Sequence, residues 1–115
     1  MIAEGVTAGF VLEAVPAEDV YVIRLSGALD GSACDEVISA IRTSERSPAD
    51  RTVIDLAELD FIDSTGLRLL QAADRRAELI HRDVRFTRPY GYVADMLSYT
   101  ALDQTLPFVG AAATT

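Results

Sequence analysis

The sequence predicts an α/β domain built on a mixed, mostly parallel sheet of four to five strands, with helices packed chiefly on one face. Three observations carry that expectation. Thr52, Val53, Ile54 and Leu56 form a short apolar run weighted toward β-branched residues, which reads as a strand buried on both faces of a parallel sheet. Directly after it the apolar period changes, and Leu67, Leu70, Ala73, Ala77 and Ile80 recur at helical spacing, with Arg68, Gln71, Arg75 and Glu78 on the other side. The whole chain alternates in the order β, β, α, β, α, β, α, β, whose crossovers between parallel strands are each expected to be right-handed.

Phe10, Leu12 and Ala14 alternate with less buried positions as a first strand. Pro16 to Asp19 supplies turn chemistry, and Val20 to Leu25 returns as an antiparallel partner. Gly27 loosens the backbone before Asp30, Gly31 and Ser32 open a helix, whose apolar face is Ala33 or Cys34, Val37, Ile38 and Ile41. That helix ends before Ser47 and Pro48, because proline disfavours helical geometry in the residue preceding it. His81, Arg82 and Asp83 end the central helix, and Val84 to Thr87 form a short strand broken by Arg88 and Pro89. Tyr92 to Tyr99 has helical spacing, and Leu106, Phe108 and Val109 read as a last strand. Residues 1–109 are expected to be one domain and residues 110–115 a frayed, disordered tail.

At 115 residues the chain supports a single core. Its half share of hydrophobic residues, with 24% charged, rules against disorder. A net charge of -8 argues against a nucleic-acid surface, which needs clustered cations, and points to neutral or basic partners. There is no lysine, so all ten basic residues are arginine. The single cysteine, Cys34, excludes an internal disulfide or a cysteine metal cluster and fits a reducing compartment. No basic n-region with a long apolar core opens the chain, and no apolar run approaches the ~20 residues of a membrane span, so a cytoplasmic protein without membrane partners is expected.

The junction at Asp63, Ser64, Thr65 and Gly66 is where chemistry is most expected. With Asp63 as N-cap, its carboxylate accepts the orphan amides of the first helical turn, and Ile62 and Leu67 take the two positions of a hydrophobic staple. With Ser64 as cap, Leu67 would stand where a capping box wants Glu or Gln. The first register fits better and leaves the hydroxyls of Ser64 and Thr65 without local duties. Hydroxyls at a helix start are common for hydrogen-bonding reasons alone, so the junction by itself does not establish a function.

An enzyme should show a nucleophile with a base, or a metal set. His81 reads instead as a residue at a helix C-terminus, where a positive charge is mildly favourable. Cys34 reads as a small core thiol, since no cation nearby in sequence lowers its pKa. There is no Gly-rich phosphate loop, and no catalytic residue, metal site or cofactor is expected. Asp55, Glu58 and Asp60 read as solvated positions around a turn. Val53 to Leu56 also resembles the phosphoacceptor strand of receiver domains, but the lysine that family needs on a later strand is missing.

Asp55, Leu56, Leu59, Phe61, Ile62, Asp63, Ser64, Thr65, Gly66, Leu67 and Leu70 resemble the signature of the anti-sigma factor antagonists, single STAS domains with Asp-Ser-Ser/Thr-Gly-Leu after a strand. Upstream, Leu25 to Asp30 is similar to that family's Leu-x-Gly-x-Leu-Asp, and Pro89, Val93, Met96, Leu97 and Leu102 resemble a later segment. The resemblance implies a STAS-like fold and a partner-switching function. Ser64 is then the phosphorylated serine, with Thr65 as the fallback. Asp30, Asp60, Asp63, Thr65, Gly66, Arg68 and Leu69 are expected in the partner contact. Asp30 reads equally well as the N-cap of the first helix. The implied partners are an anti-sigma factor with serine kinase activity, whose capture releases a sigma factor, and a serine phosphatase. The alternative is a STAS scaffold or sensor module in a larger signalling assembly, without phosphorylation.

Overall fold

Burial alternates over most of each strand whose side chains are described, and this sets the architecture. The computed structural model describes residues 2–7 and 9–109, with side chains from residue 9 onward. The expectation of a frayed tail falls on 110–115, outside the described residues. In chain order the elements are β1 (Ile2–Thr7), β2 (Phe10–Pro16), β3 (Val20–Leu29), α1 (Cys34–Glu45), β4 (Arg51–Ile62), α2 (Ser64–Leu79), β5 (Asp83–Phe86), α3 (Gly91–Tyr99) and α4 (Leu102–Thr105). A 3₁₀ turn, Gly31–Ala33, leads into α1.

The sheet runs β1-β2-β3-β4-β5, antiparallel across the first three strands and parallel from β3 to β5. The expected mostly parallel sheet is therefore half antiparallel, because β1 adds an edge strand that the sequence pattern did not announce. Phe10, Leu12, Tyr21, Ile23, Leu25, Ile54, Leu56, Val84 and Phe86 point to one buried face, where they join the apolar sides of the helices in a single core. The opposite face carries Glu13 paired in register with Arg24, and Arg24 in turn with Asp55.

That second face corrects the reading of the central strand. Thr52, Ile54 and Leu56 are buried, while Val53 and Asp55 are only partly so. The strand is not covered on both sides, because its outward positions hold charged groups. Asp55 is no solvated turn residue either. Its carboxylate accepts from the Thr87 hydroxyl at 2.7 Å and from the Ala57 amide at 3.0 Å, beside a register shift at which β4 gains residues relative to β3. This irregularity lets β4 continue to Ile62, well beyond Leu56, and restores burial to Leu59 and Ile62. The expected last strand shrinks to one parallel bridge, Phe86 with Phe108, preceded by the short α4.

The end of α2 explains His81. The Arg82 amide donates to the Ala77 carbonyl at 2.9 Å and the His81 amide to Glu78 at 3.4 Å, while His81 has φ of 57°. This is the Schellman closure, with histidine where glycine is usual. The histidine terminates the helix by its backbone.

The other end of α2 is set by one close approach. A Cβ added to Gly66 would lie 2.5 Å from the Leu29 carbonyl oxygen and 2.7 Å from Ile62 Cγ1, so only glycine lets the helix start rest on the end of β3. Gly66→Ala should gain nearly 1 kcal/mol of helix propensity yet lose about 1 to 3 kcal/mol to overpacking against backbone that cannot yield. The expected outcome is a lower urea midpoint with the slope unchanged, whereas Gly31→Ala, whose added Cβ meets only Thr65 Cγ2 at 4.0 Å, should cost much less.

Two ion pairs tie elements together near the far end. Arg76 grips Glu45 across α1 and α2 with contacts of 2.7 and 2.8 Å, and this hydrogen bonding holds the Glu45 carboxyl below its ordinary value. Burial pushes the Asp83 carboxyl up, but Arg51 at 2.9 Å and Arg85 at 2.8 Å outweigh it and hold the group low. Both folded pKa values are depressed, so their stabilisation is complete above the unfolded values near ~4 and is lost as pH falls through the folded ones. Across that acidic window a Glu45→Gln, Asp83→Asn double variant should lose less stability than the parent in urea titrations. An equal loss would contradict the assignment.

Candidate functional site

The parallel pairing of Leu29 with Ile62 brings two loops together at one end of the sheet. Asp30 follows the first strand and Asp63 the second. The Asp63 amide donates to the Leu29 carbonyl at 3.3 Å, and an added Cβ on Gly31 would sit 4.0 Å from Thr65 Cγ2. The loop after β3 and the start of α2 are thus one surface, as the strand order requires.

Asp63 caps α2: its Oδ1 accepts the Gly66 amide at 2.9 Å, and its carbonyl accepts from Leu67 at 2.9 Å. Ile62 and Leu67, the staple positions, are both buried. Ser64 is the first helical residue and is exposed, as is Thr65. Neither hydroxyl has a hydrogen-bond partner among the described residues. One residue supplies the cap and the next two present free hydroxyls at the positive end of a helix of 16 residues.

Asp30 caps the other loop. Its Oδ1 accepts from the Ser32 amide at 2.9 Å and the Ser32 hydroxyl at 2.6 Å, and these bonds hold its carboxyl below the ordinary value. The cap it makes is that of the 3₁₀ turn leading into α1. Cys34 sits beneath, donating to the Asp30 carbonyl at 3.3 Å. Burial raises its thiol pKa, and the charges of Asp63 and Asp30 raise it further. A thiol held protonated by its surroundings is a poor nucleophile. Among the described residues no group of three His, Cys, Asp or Glu side chains could hold a metal ion, and no helix is long and apolar enough to cross a membrane.

The remaining expected contact residues divide. Asp60 is exposed near the end of β4. Arg68 is exposed one turn along α2, its Nε donating to the Ser64 carbonyl at 3.4 Å. Gly66 is buried, so its place is the approach to Leu29 and its surface share is small. Leu69 is half-buried against the core and faces α1, about 140° around the helix from Ser64 at 3.6 residues per turn.

Sequence reasoning missed two features, each made by a pair of residues. Thr100 and Leu102 close a shallow depression with Ser64, Leu67, Arg68 and Gln71, because Ala101 turns the chain there with φ of 63°. Phe61 and Tyr92 stack with centroids 5.5 Å apart and planes 4° from parallel, both about half exposed. Two exposed aromatics near Asp60 were visible as letters, but their pairing depends on where α3 packs.

Comparison with solved structures finds the same fold. An anti-sigma factor antagonist from Mycobacterium paratuberculosis superposes with a TM-score of 0.72 at 24% identity, covering 86% of this chain and 84% of that one. The anti-sigma factor antagonist SpoIIAA in its unphosphorylated form gives a TM-score of 0.64 at 26% identity, with 81% of each chain covered. The Bacillus cell fate determinant SpoIIAA in its phosphorylated form gives 0.61 at 24%, covering 83% of this chain and 86% of that one. No curated protein matches. Residues 14–110 match the family model described as "Mlab, STAS domain", which spans β3, β4, the Asp63 cap and α2, and the chain therefore belongs to the STAS domain family.

Proposed function

We propose that this domain is an anti-sigma factor antagonist that works by partner switching, with Ser64 as the regulated acceptor. The observation that carries the reading is the exposed, unpartnered Ser64 hydroxyl directly after a cap that Asp63 has already supplied. The likeness to SpoIIAA, solved in both unphosphorylated and phosphorylated forms, supports it. Unmodified, the domain binds an anti-sigma factor that is also a serine kinase and so frees a sigma factor. Phosphorylated, it lets go, and a serine phosphatase restores it. The domain itself performs no catalysis.

Electrostatics makes the position a usable switch. A phosphoryl group adds about -1.5 to -2 charges and three acceptor oxygens. On the isolated domain a helix N-terminus favours an anion by roughly 0.3 to 1 kcal/mol, and Arg68 one turn away adds a cation, which together offset repulsion from Asp60 and Asp63. Under a docked partner the same dianion is desolvated beside existing carboxylates, at a cost of several kcal/mol. About 3 kcal/mol is already a hundredfold in affinity. The contact surface on this reading joins the Asp30 loop, Asp60, the Asp63 to Thr65 turn and Arg68, with Thr65 as the second acceptor. Leu69 enters only where a partner reaches around α2.

Incubating the domain with ATP and the anti-sigma kinases of its own cell, then mapping phosphate by mass spectrometry, tests the acceptor. Modification at Ser64 that is abolished in Ser64→Ala is expected. A pull-down should recover the kinase with the parent and lose it at least a hundredfold with Ser64→Asp. Phosphate that persists in Ser64→Ala at a site other than Thr65, or a partner retained equally by Ser64→Asp, would instead favour a scaffold module that is not switched here.

A further inference from the structure

Away from Ser64, α1 and α2 leave an open groove of about 260 Å³ between them. Its floor is apolar, made by Ile38, Ile41, Leu69 and Ala73, and its sides carry Arg42 and Arg76. Ile38 is 40% exposed, at the edge of the α1 face on which Val37, Ala40 and Ile41 are buried and one turn from the exposed Asp35. The outer ridge of α2 continues the same surface with Arg68, Arg75 and Leu79, the last 76% exposed. An exposed leucine and isoleucine flanking a concave apolar floor are what a docking surface leaves uncovered.

Charge selects the occupant. The chain carries a net charge of -8 and only ten cations, yet Arg42, Arg68, Arg75 and Arg76 all border this one surface. Arg76 is held by Glu45, while Arg42 and Arg75 are exposed and make no ion pair among the described residues. Among the described residues no acidic side chain lines either surface, although Glu78 stands one turn from Arg75 on the exposed side of α2. An acidic protein has therefore kept its helix face locally basic around an apolar trough. A groove between two helices accepts the ridge of a third, with apolar anchors at i, i+3 or i+4 and i+7.

We propose that the α1–α2 groove binds an acidic amphipathic helix of a partner protein, its apolar stripe on Ile38 and Leu69 and its carboxylates on Arg42 and Arg75. This site stands independently of any modification at Ser64. Arg42 and Arg75 steer the encounter and set its orientation, since complementary potentials act first on association and on rejection of wrong partners. The curved floor fits a helix better than a flat bilayer surface.

The test needs no kinase. Two short helical peptides share one leucine stripe at i, i+3, i+4 and i+7, and differ in carrying glutamate or lysine elsewhere. Each is titrated into the full chain by fluorescence anisotropy, with amide shifts read by NMR. The glutamate peptide should bind at least about tenfold more tightly than its lysine twin, weaken with added salt, and move the amides of Ile38, Leu69 and Ala73. Ala72→Glu, an exposed substitution on the groove's lining, should reduce that affinity about tenfold or more with the circular dichroism unchanged. Equal binding of both peptides, shifts confined to other faces, or indifference to Ala72→Glu would overturn the proposal. So would self-association through this face in sedimentation, or retention on anionic phospholipid vesicles when the glutamate peptide fails to bind.

Discussion

The structure depends on how closely α2 is allowed to approach the end of β3. At Gly66 the helix backbone comes so near the Leu29 carbonyl that no side chain fits, and that contact fixes where the helix begins. Because β3 and β4 are parallel neighbours, the same contact brings the loops after both strands to one edge of the molecule. The hydroxyls of Ser64 and Thr65 then emerge at the surface beside the loop that Asp30 opens, on a helix and not on a free loop. A site held by packed backbone keeps its shape whether or not its surface groups change charge.

Separation of tasks follows from that geometry. Asp63 satisfies an orphan amide of the first turn and Asp30 caps the neighbouring 3₁₀ turn, so neither structural duty falls to Ser64. Cys34 lies under both carboxylates and is kept protonated, which removes a competing reactive group from the same edge. The basic trough between α1 and α2 lies on another side of the same helix. One element therefore offers two surfaces of opposite electrostatic character, an acidic edge at its start and an arginine-lined flank along its length.

Much of this was legible in the sequence where local chemistry decides. The cap by Asp63, the staple positions Ile62 and Leu67, and the exposed Ser64 follow from capping rules within a few residues. Periodicity located α1, α2 and α3, and the motif from Asp55 to Leu70 identified the family. What sequence missed depends on partners distant along the chain. The first strand, IAEGVT, has no clear apolar alternation and becomes a strand by pairing with β2. Thr52 to Leu56 is mostly apolar and reads as buried on both faces, yet its outward face is defined by Asp55 paired with Arg24 from the neighbouring strand. The C-terminal residues Leu106 to Val109 have strand composition, but only Phe108 finds an edge to pair with. Leu69 looked like a neighbour of Ser64 in sequence, and helical geometry sends it to the other flank.

The central claim is that negative charge at the head of α2 is absorbed locally by the free domain and matters only beneath a partner. The most direct measurement compares amide NMR spectra and urea unfolding of the unmodified domain with those of a domain carrying phosphoserine installed at position 64. Shifts restricted to the Asp60–Arg68 turn and its neighbours at Gly31 and Thr100, with stability changed by no more than about 1 kcal/mol, are the expected result. Shifts spreading through the strands, or an unfolded spectrum, would show that the charge disrupts the fold itself and would contradict the account.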